Sequence, residues 1–288
     1  HRRPRLAAEL AVVVVTYNSG HCMAVLGHQL QACPHIVVVD NASTDDSQEQ
    51  VRLHLPQARW LGLPSNQGFG AANNHALATV QTPFALLLNP DCEIGSAAIE
   101  ALIETAEQFT QAAIVAPQLM QPDGQPEINY RWPALEWTSQ GPAAEGPVCV
   151  GFLCGAAMLI RMSLLPAPDR FDERFFLYYE DDDLCLRLFR QHKPLILVPG
   201  ITAVHRSRGS VRGKSPWRHE YTRGYHHAQS KLIFARKHEG PDTARQLRWQ
   251  LLLSTTLALP LRLLLPSPRL MARMWGRWMG LMKWTPHD

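Results

Sequence analysis

Residues 11–20, AVVVVTYNSG, carry four successive valines and then turn abruptly polar at Thr16, Tyr17 and Asn18. The same form returns twice: IVVV at 36–39 runs into Asp40 and Asn41, and ALLL at 85–88 runs into Asn89, Pro90 and Asp91. Continuous Val- and Leu-rich runs of this length, bounded by turn residues, fit strands of a parallel sheet covered on both faces. The segments between them read as helices: Ser19 to Ala32, Ser43 to Leu55 with Ser43 or Thr44 as its cap, and Gly70 to Val80. Sheets of this kind bind ligands beyond the carboxyl ends of their strands, so Thr16, Asp40 and Asp91 are expected to share one crevice. Taken singly, each is equally an ordinary residue at a strand-ending turn.

Outward from these runs, residues 96–110 read as an amphipathic helix and IVAPQLM from Ile114 as a further strand. Residues 121–147 are rich in Pro and Gly and predict a long surface excursion. GFLCGAAMLI at 151–160 returns to the core, LILVP at 195–199 is another strand, and ITAV at 201–204 is strand-like ahead of His205. At the amino end, HRRPR precedes the apolar run in the manner of a signal peptide. The run from Ala11 to Val15 is too short for one and leads into Thr16 with no small-residue cleavage site, so it is read as a strand.

The 288 residues are 46% apolar and 18% charged, enough for a sizeable core and unlike a disordered chain. The net charge of +3 conceals a division. Residues 1–200 hold 12 Lys and Arg against 21 Asp and Glu, whereas residues 201–288 hold 16 against 4. An acidic body with a basic tail points to a metal or polyhydroxyl site in the first part and an anionic partner for the second. The six cysteines form no CxxC pair and no zinc spacing, and read as apolar fillers in a reducing, cytoplasmic compartment.

After about residue 240 the character changes. LLLSTTLALPLRLLLP at 251–266 is apolar but broken by Pro260 and Arg262, and is shorter than the ~18–20 apolar residues of a spanning helix. RLMARMWGRWMGLMKW at 269–284 sets Arg269, Arg273 and Arg277 on one helical stripe, with Trp275, Trp278 and Trp284 among Met and Leu. A basic stripe beside a Trp-rich apolar face suits a helix lying in a membrane interface. A terminal helix packed on its own domain or on a second subunit has the same pattern. Nucleic acid fits the charge but not the Trp and Met content.

One stretch is out of keeping with a packed core: FFLYYEDDDLCLRL at 175–188, where Glu180, Asp181, Asp182 and Asp183 follow one another. Four carboxylates repel one another and resist burial, but one of them near an acceptor hydroxyl is a candidate general base. Asp91 after its strand and His205 after ITAV are candidate ligands for a hard divalent cation that neutralises a departing diphosphate. Arg206, Arg208, Arg212 and Lys214 follow on a Gly- and Ser-containing loop suited to phosphates, or simply solvated.

The ordered set VVVVTYNSG, VVVDNASTDDS, SNQGFGAANN, LLLNPDCEI, FLCGAAMLIR, FDERFFLYYEDDDLCLRL and VHRSRGS resembles the inverting family 2 glycosyltransferases of GT-A fold, and most closely a rhamnosyltransferase-type branch from bacterial cell-surface polysaccharide assembly. The resemblance runs over residues 10–215. It implies an α/β, Rossmann-like, mostly parallel sheet flanked by helices in a transferase domain at 1–240, followed by a basic amphipathic helical tail at 241–288. It implies that Thr16, Tyr17, Asn18, Asp40 and Asn41 line the nucleotide pocket and that Asn66, Gly68, Asn73, Asn74 and Asn89 continue the donor wall. The family's DxD element stands here as Asn89-Pro90-Asp91, which leaves Asp91, with His205, to hold Mg2+ or Mn2+, and Arg206 and Arg208 to meet the diphosphate. Its acidic pair falls on Glu180-Asp181, which makes Asp181 the base. Glu180, Asp183, Arg187 and Gly155 would support the acceptor site, bordered by the loop Gly151 to Gly155 and the excursion at 121–147. Asp182 occupies a position that is commonly apolar.

The partners implied are a dTDP- or UDP-sugar, dTDP-rhamnose foremost, and a lipid-linked or polysaccharide acceptor. With them come an anionic membrane surface on the inner face of the cytoplasmic membrane and a possible homodimer, but no nucleic acid. A catalytically silent nucleotide-sugar binder is the alternative, against which the intact acidic pair argues. A nucleotidyltransferase would need a glycine-rich basic loop where this chain has TYNSG.

Overall fold

In a computed structural model, which describes residues 3–130, 142–206, 216–264 and 267–285, the valine and leucine runs are the central strands of a nine-stranded sheet. The order along the chain begins α1 (Arg3–Glu9), β1 (Leu10–Thr16), α2 (Met23–Leu30), β2 (Ile36–Asp40), α3 (Ser47–His54), β3 (Ala58–Gly62), α4 (Phe69–Leu77) and β4 (Phe84–Leu88). It continues with β5 (Cys92–Glu93), α5 (Ser96–Gln108), β6 (Ile114–Met120), β7 (Val148–Val150) and β8 (Ala157–Arg161). It ends with α6 (Glu180–Arg190), β9 (Leu195–His205), α7 (Pro216–Glu239), α8 (Pro241–Leu263) and α9 (Pro268–Lys283). Two compact units divide the chain: His1–Gln67 with Ala71–Phe171 and Leu184–Arg212, and Gly68–Gly70 with Asp172–Asp183 and Gly213–Asp288.

The first unit contains the whole sheet, in the order β3-β2-β1-β4-β8-β6-β9-β5, with β7 paired to β9. Strands β3, β2, β1 and β4 are parallel, as the continuous apolar runs of β2, β1 and β4 predict. β8 then runs antiparallel to β4, and β6 runs antiparallel to β8 but parallel to β9. Val12, Val14, Val38, Leu86 and Leu88 pack with Leu26, Leu30, Val51 and Leu102 from α2, α3 and α5 in one core. The alternate residues Val13, Val37, Val39 and Leu87 are buried as well, so both faces of the sheet are covered. Each such side chain contributes about 1.5–3 kcal/mol on leaving water.

Two local expectations change, and one strand goes unannounced. LILVP and ITAV belong to one strand, β9: Pro117 pairs with Val198 and Gln118 with Thr202, so an irregularity in the pairing leaves Pro199, Gly200 and Ile201 outside the ladder with β6. Ser43 does not cap a helix: α3 starts at Ser47, and the Ser43 hydroxyl instead donates to Asp40 Oδ1 at 2.5 Å. The edge strand β3 has no apolar run to announce it, because ARWLG is only partly buried. No disulfide joins any of the six cysteines.

In the second unit α7, α8 and α9 share a small core of Ala228, Leu232, Leu252, Leu281 and Trp284. α7 and α9 touch backbone to backbone at glycines. A Cβ on Gly224 would lie 2.0 Å from the Arg273 carbonyl oxygen, and one on Gly276 would lie 2.0 Å from that of Tyr221. No described helix is long and apolar enough to cross a membrane.

Candidate functional site

At the carboxyl edge of the parallel strands, the β1–β2 register sets Thr16 beside Asp40, and the Asn41 amide donates to the Thr16 carbonyl at 2.9 Å. The Thr16 hydroxyl is buried with no hydrogen-bond partner among the described residues. Asn18 adopts φ 52°, and its side-chain oxygen accepts from the amides of Thr44 (2.8 Å) and Asp45 (3.3 Å). Its own amide donates to Ser43 Oγ at 2.9 Å. The Asp40 carboxylate accepts from the amide and hydroxyl of Ser43, and the Asn41 side-chain oxygen accepts from the Gln67 amide at 3.1 Å. Thr16, Asn18, Asp40 and Asn41 are therefore brought together, with Tyr17 half-buried in the same turn. Asn73 is buried on α4, whereas Asn74 clamps a loop: it donates to the Phe171 carbonyl at 2.9 Å and accepts from its amide at 3.1 Å. Asn66 is half-buried and Gly155 buried.

Asn89 follows β4, and its amide donates to the Ala156 carbonyl at 2.9 Å. The short strand β5 then pairs antiparallel with the end of β9, setting Cys92 opposite His205, while the Arg206 amide donates to the Asp91 carbonyl at 3.0 Å. This pairing carries His205 Nε2 to 3.8 Å from Oδ1 of the buried Asp91 carboxylate. His205 Nδ1 lies 3.4 Å from Glu127 Oε2, a contact that orients the ring with Nε2 toward Asp91. A cavity of about 650 Å³ opens here, lined by Gln121, Glu127, Asn129, His205 and Arg206. The Arg206 guanidinium donates to Glu93 at 2.6 Å. Arg208, Arg212 and Lys214 lie outside the described residues, as do residues 131–141 of the excursion.

No group of three His, Cys, Asp or Glu gathers around one metal position among the described residues. A buried carboxylate facing an imidazole nonetheless suits Mg2+ or Mn2+ in sites where phosphate oxygens and water supply the other ligands. Asp91 and His205 fit such an ion.

The four acids form the first turn of α6, where unpaired backbone N–H groups and the helix dipole favour negative charge. That is the local reason the run is tolerated. Immediately before it, Tyr178 and Tyr179 have φ of 69° and 65°, a conformation that costs a non-glycine residue about 1–3 kcal/mol. Helix α7 supports this strained approach. Ser230 donates to the Leu177 carbonyl at 2.9 Å, His226 stacks on Phe176, and His227 meets the rings of both tyrosines edge-on. Gly68, at φ 91°, lets the Phe176 carbonyl come close: a Cβ there would be 2.3 Å from that oxygen.

Asp183 is fully buried, and its Oδ1 lies 2.7 Å from both Lys237 Nζ and His238 Nε2 of α7. Lys237 also reaches Asp172 Oδ2 at 2.7 Å, and Arg174 donates to both oxygens of that carboxylate. Burial raises the Asp172 pKa, but the hydrogen bonds from Arg174 and Lys237 outweigh it and hold the carboxyl below its usual range. Glu180 is buried, and that burial, with the charges of Asp181 and Asp182, pushes it well above the usual carboxylate range. Asp181 is half-buried, and its Oδ1 accepts from the Asp182 amide at 3.0 Å. Arg187, further along α6, donates to the carbonyls of Asp169 (2.6 Å) and Arg170 (2.5 Å) and so anchors that loop. Glu127, Lys237 and His238 escape the sequence reading, since nothing in their own neighbourhoods marks them.

A family model described as glycosyl transferase family 2 matches residues 11–165. An N-acetylglucosaminyl-diphospho-decaprenol L-rhamnosyltransferase of Mycobacterium tuberculosis is 29% identical, over 84% of this chain and 89% of its own. A low-salt glycan biosynthesis hexosyltransferase of Haloferax volcanii is 27% identical, over 68% of this chain and 67% of its own. The solved mannosyltransferase of Pyrobaculum calidifontis, in complex with GDP-Man and Mn2+, superposes with a TM-score of 0.57 at 16% identity, covering 96% of this chain and 86% of that one. That likeness shows the GT-A type of fold. Since the family model spans more than half of its length, the chain belongs to glycosyl transferase family 2.

Proposed function

We propose that this glycosyltransferase moves rhamnose from dTDP-rhamnose, with inversion, to a hydroxyl of a lipid-linked acceptor of the N-acetylglucosaminyl-diphospho-polyprenol class. The observation that carries the reading is the approach of His205 Nε2 to Asp91 Oδ1, 3.8 Å apart at the edge of the sheet where nucleotides bind in folds of this kind. The choice of sugar and acceptor rests on the mycobacterial relative.

Thr16, Tyr17, Asn18, Asp40 and Asn41 bind the nucleotide, and Asn66, Gly68, Asn73 and Asn89 complete the donor wall. Asp91 and His205 hold Mg2+ or Mn2+, which when bound neutralises the leaving diphosphate. Arg206 exchanges Glu93 for a phosphate oxygen, with Arg208 beside it in sequence. The Asp181 carboxylate takes the proton of the acceptor hydroxyl as that oxygen bonds to the anomeric carbon. The bond from that carbon to the diphosphate oxygen breaks, and its electron pair leaves with the nucleotide diphosphate. Glu180, Asp183, Arg187 and Gly155 shape the acceptor side, Asp183 and Arg187 by positioning rather than contact.

Residues 1–240 are the transferase domain on this reading, because α7, which ends at Glu239, backs the acidic segment. Residues 241–288 are the tail that meets an anionic membrane on its inner, cytoplasmic face, where a lipid-linked acceptor resides. The test is a thermal-stabilisation screen of dTDP-, UDP- and GDP-sugars with Mg2+ or Mn2+, followed by transfer assays with Asp181→Asn. The variant should lose about 10²–10⁴-fold in turnover and retain nucleotide affinity. Stabilisation by dTDP-rhamnose with no turnover in the parent protein, on any polyprenyl-diphosphate glycan, would mark a silent binder instead.

A further inference from the structure

We propose that the outer face of α8, rather than α9, is the surface that enters the lipid headgroup region. This rests on the membrane-surface reading above and names the element responsible. α8 has two faces of opposite fate. Ala244, Leu252 and Thr255 are buried against the rest of the helical unit. On the other side Trp249, Leu253, Leu257 and Leu261 are 68%, 63%, 65% and 65% exposed, and Leu264 at the helix end is 78% exposed.

The spacing of four residues, then three, keeps these five side chains within an arc of roughly 120° along about 22 Å of axis. A continuous row of large apolar side chains has no reason to face water and marks a contact surface. The residues from Trp249 to Leu261 carry no charge, while Arg248 and Arg262 stand just beyond the two ends. Across residues 243–285 there are seven Lys and Arg and no Asp or Glu. Such a field is complementary to anionic lipid and repels a second copy of itself.

α9 offers less. Gly276, Gly280, Leu281 and Trp284 are buried, and Trp278 donates to Thr256 of α8 at 3.1 Å. Its largest exposures, Leu270 at 43%, Trp275 at 48% and Met282 at 47%, fall short of every residue in the α8 row. Since α8 does not qualify as a spanning helix, the arrangement it supports is one lying in the interface plane, leucines down.

The experiment is flotation of the full chain with vesicles of mixed phosphatidylglycerol and phosphatidylcholine, and with phosphatidylcholine alone. Sedimentation velocity without lipid and thermal shift with donor nucleotide accompany it. The double variant Leu253→Asp/Leu257→Asp should lose about tenfold or more of its partitioning into the anionic vesicles, with nucleotide-induced stabilisation unchanged. Leu270→Asp/Met282→Asp on α9 should partition within about twofold of the parent. Equal partitioning of the α8 variant and the parent would overturn the assignment to α8 and leave the membrane reading standing. Failure of the parent to float with anionic vesicles would overturn both. A parent dimer that the α8 variant alone converts to monomer, with flotation retained, would make the face a contact between copies and also overturn the proposal. Because nucleotide stabilisation is read separately, none of these results bears on the transferase assignment.

Discussion

The polar ends of β1 and β2 and the acidic turn of α6 are held in place by different means. Thr16, Asn18, Asp40 and Asn41 are fixed by neighbours from adjoining turns, Ser43, Thr44 and Gln67, through the backbone and short side chains. The acidic turn relies on α7, whose Lys237 and His238 stand 54 and 55 residues from Asp183. The first arrangement is a set of hydrogen bonds between adjoining turns, with Asp40 as its one carboxylate among the four residues. The second places a buried carboxylate against the Lys237 ammonium and the His238 ring, so its integrity depends on a contact between residues more than fifty positions apart. A site of the first kind tolerates loss of a side chain as a change in affinity. One of the second kind answers with a change in stability.

The sharpest way to break this contrast is Asp183→Ala. Removing one partner of a buried ion pair leaves Lys237 and His238 facing a void, and unfolding by denaturant should show a loss of about 3 kcal/mol. Asp91→Asn, also buried, should do the reverse. Its unfolding midpoint should stay near that of the parent, while the Mn2+ concentration needed to enhance nucleotide stabilisation rises about tenfold or more. If both variants destabilise equally, the two regions are not held differently.

Within the acidic turn, Glu180→Gln should preserve activity to within about threefold, because burial and the neighbouring Asp181 and Asp182 already favour the protonated acid that the amide mimics. Parallel transfer assays of Glu180→Gln and Asp181→Asn measure this directly. A loss in Glu180→Gln as deep as that in Asp181→Asn would assign the base to the wrong residue.

The remaining test concerns pH. Burial, aided by Lys231, Arg277 and Arg273, pushes His227 down to about 4. Between that value and about 6.5 the unfolded chain binds a proton that the folded chain does not, so stability rises with pH across this window and falls on acidification. Denaturant midpoints measured from pH 7 to pH 5 should decline, and His227→Phe should flatten the slope. An unchanged slope would mean that folding does not lower the affinity of His227 for its proton.

Much of the first unit was legible in the residues themselves. β1, β2, β4 and β6 lie within a residue or so of the runs that announced them, because a buried parallel strand needs an unbroken apolar stretch. Ser43 misled because Ser can bond several nearby groups, and here Asp40 and Asn18 take it before the helix begins. His205 was legible as a strand-end residue, but Glu127 was not, since their meeting depends on how the segment after β6 returns to β9. Lys237 and His238 look like solvated residues at the end of a helix until Asp183 is found between them.

From its residues alone the chain declared an α/β sheet, a polar edge to that sheet, an isolated acidic run and a basic tail, because strand and helix patterns are written within about ten consecutive residues. Three things came only with the tertiary structure: the meeting of His205 with Asp91 through the β5–β9 pairing, the burial of Asp183 by α7, and the outward turn of the α8 leucines. Which charge is buried and which apolar face is left uncovered depends on residues tens of positions away, and periodicity carries no record of them.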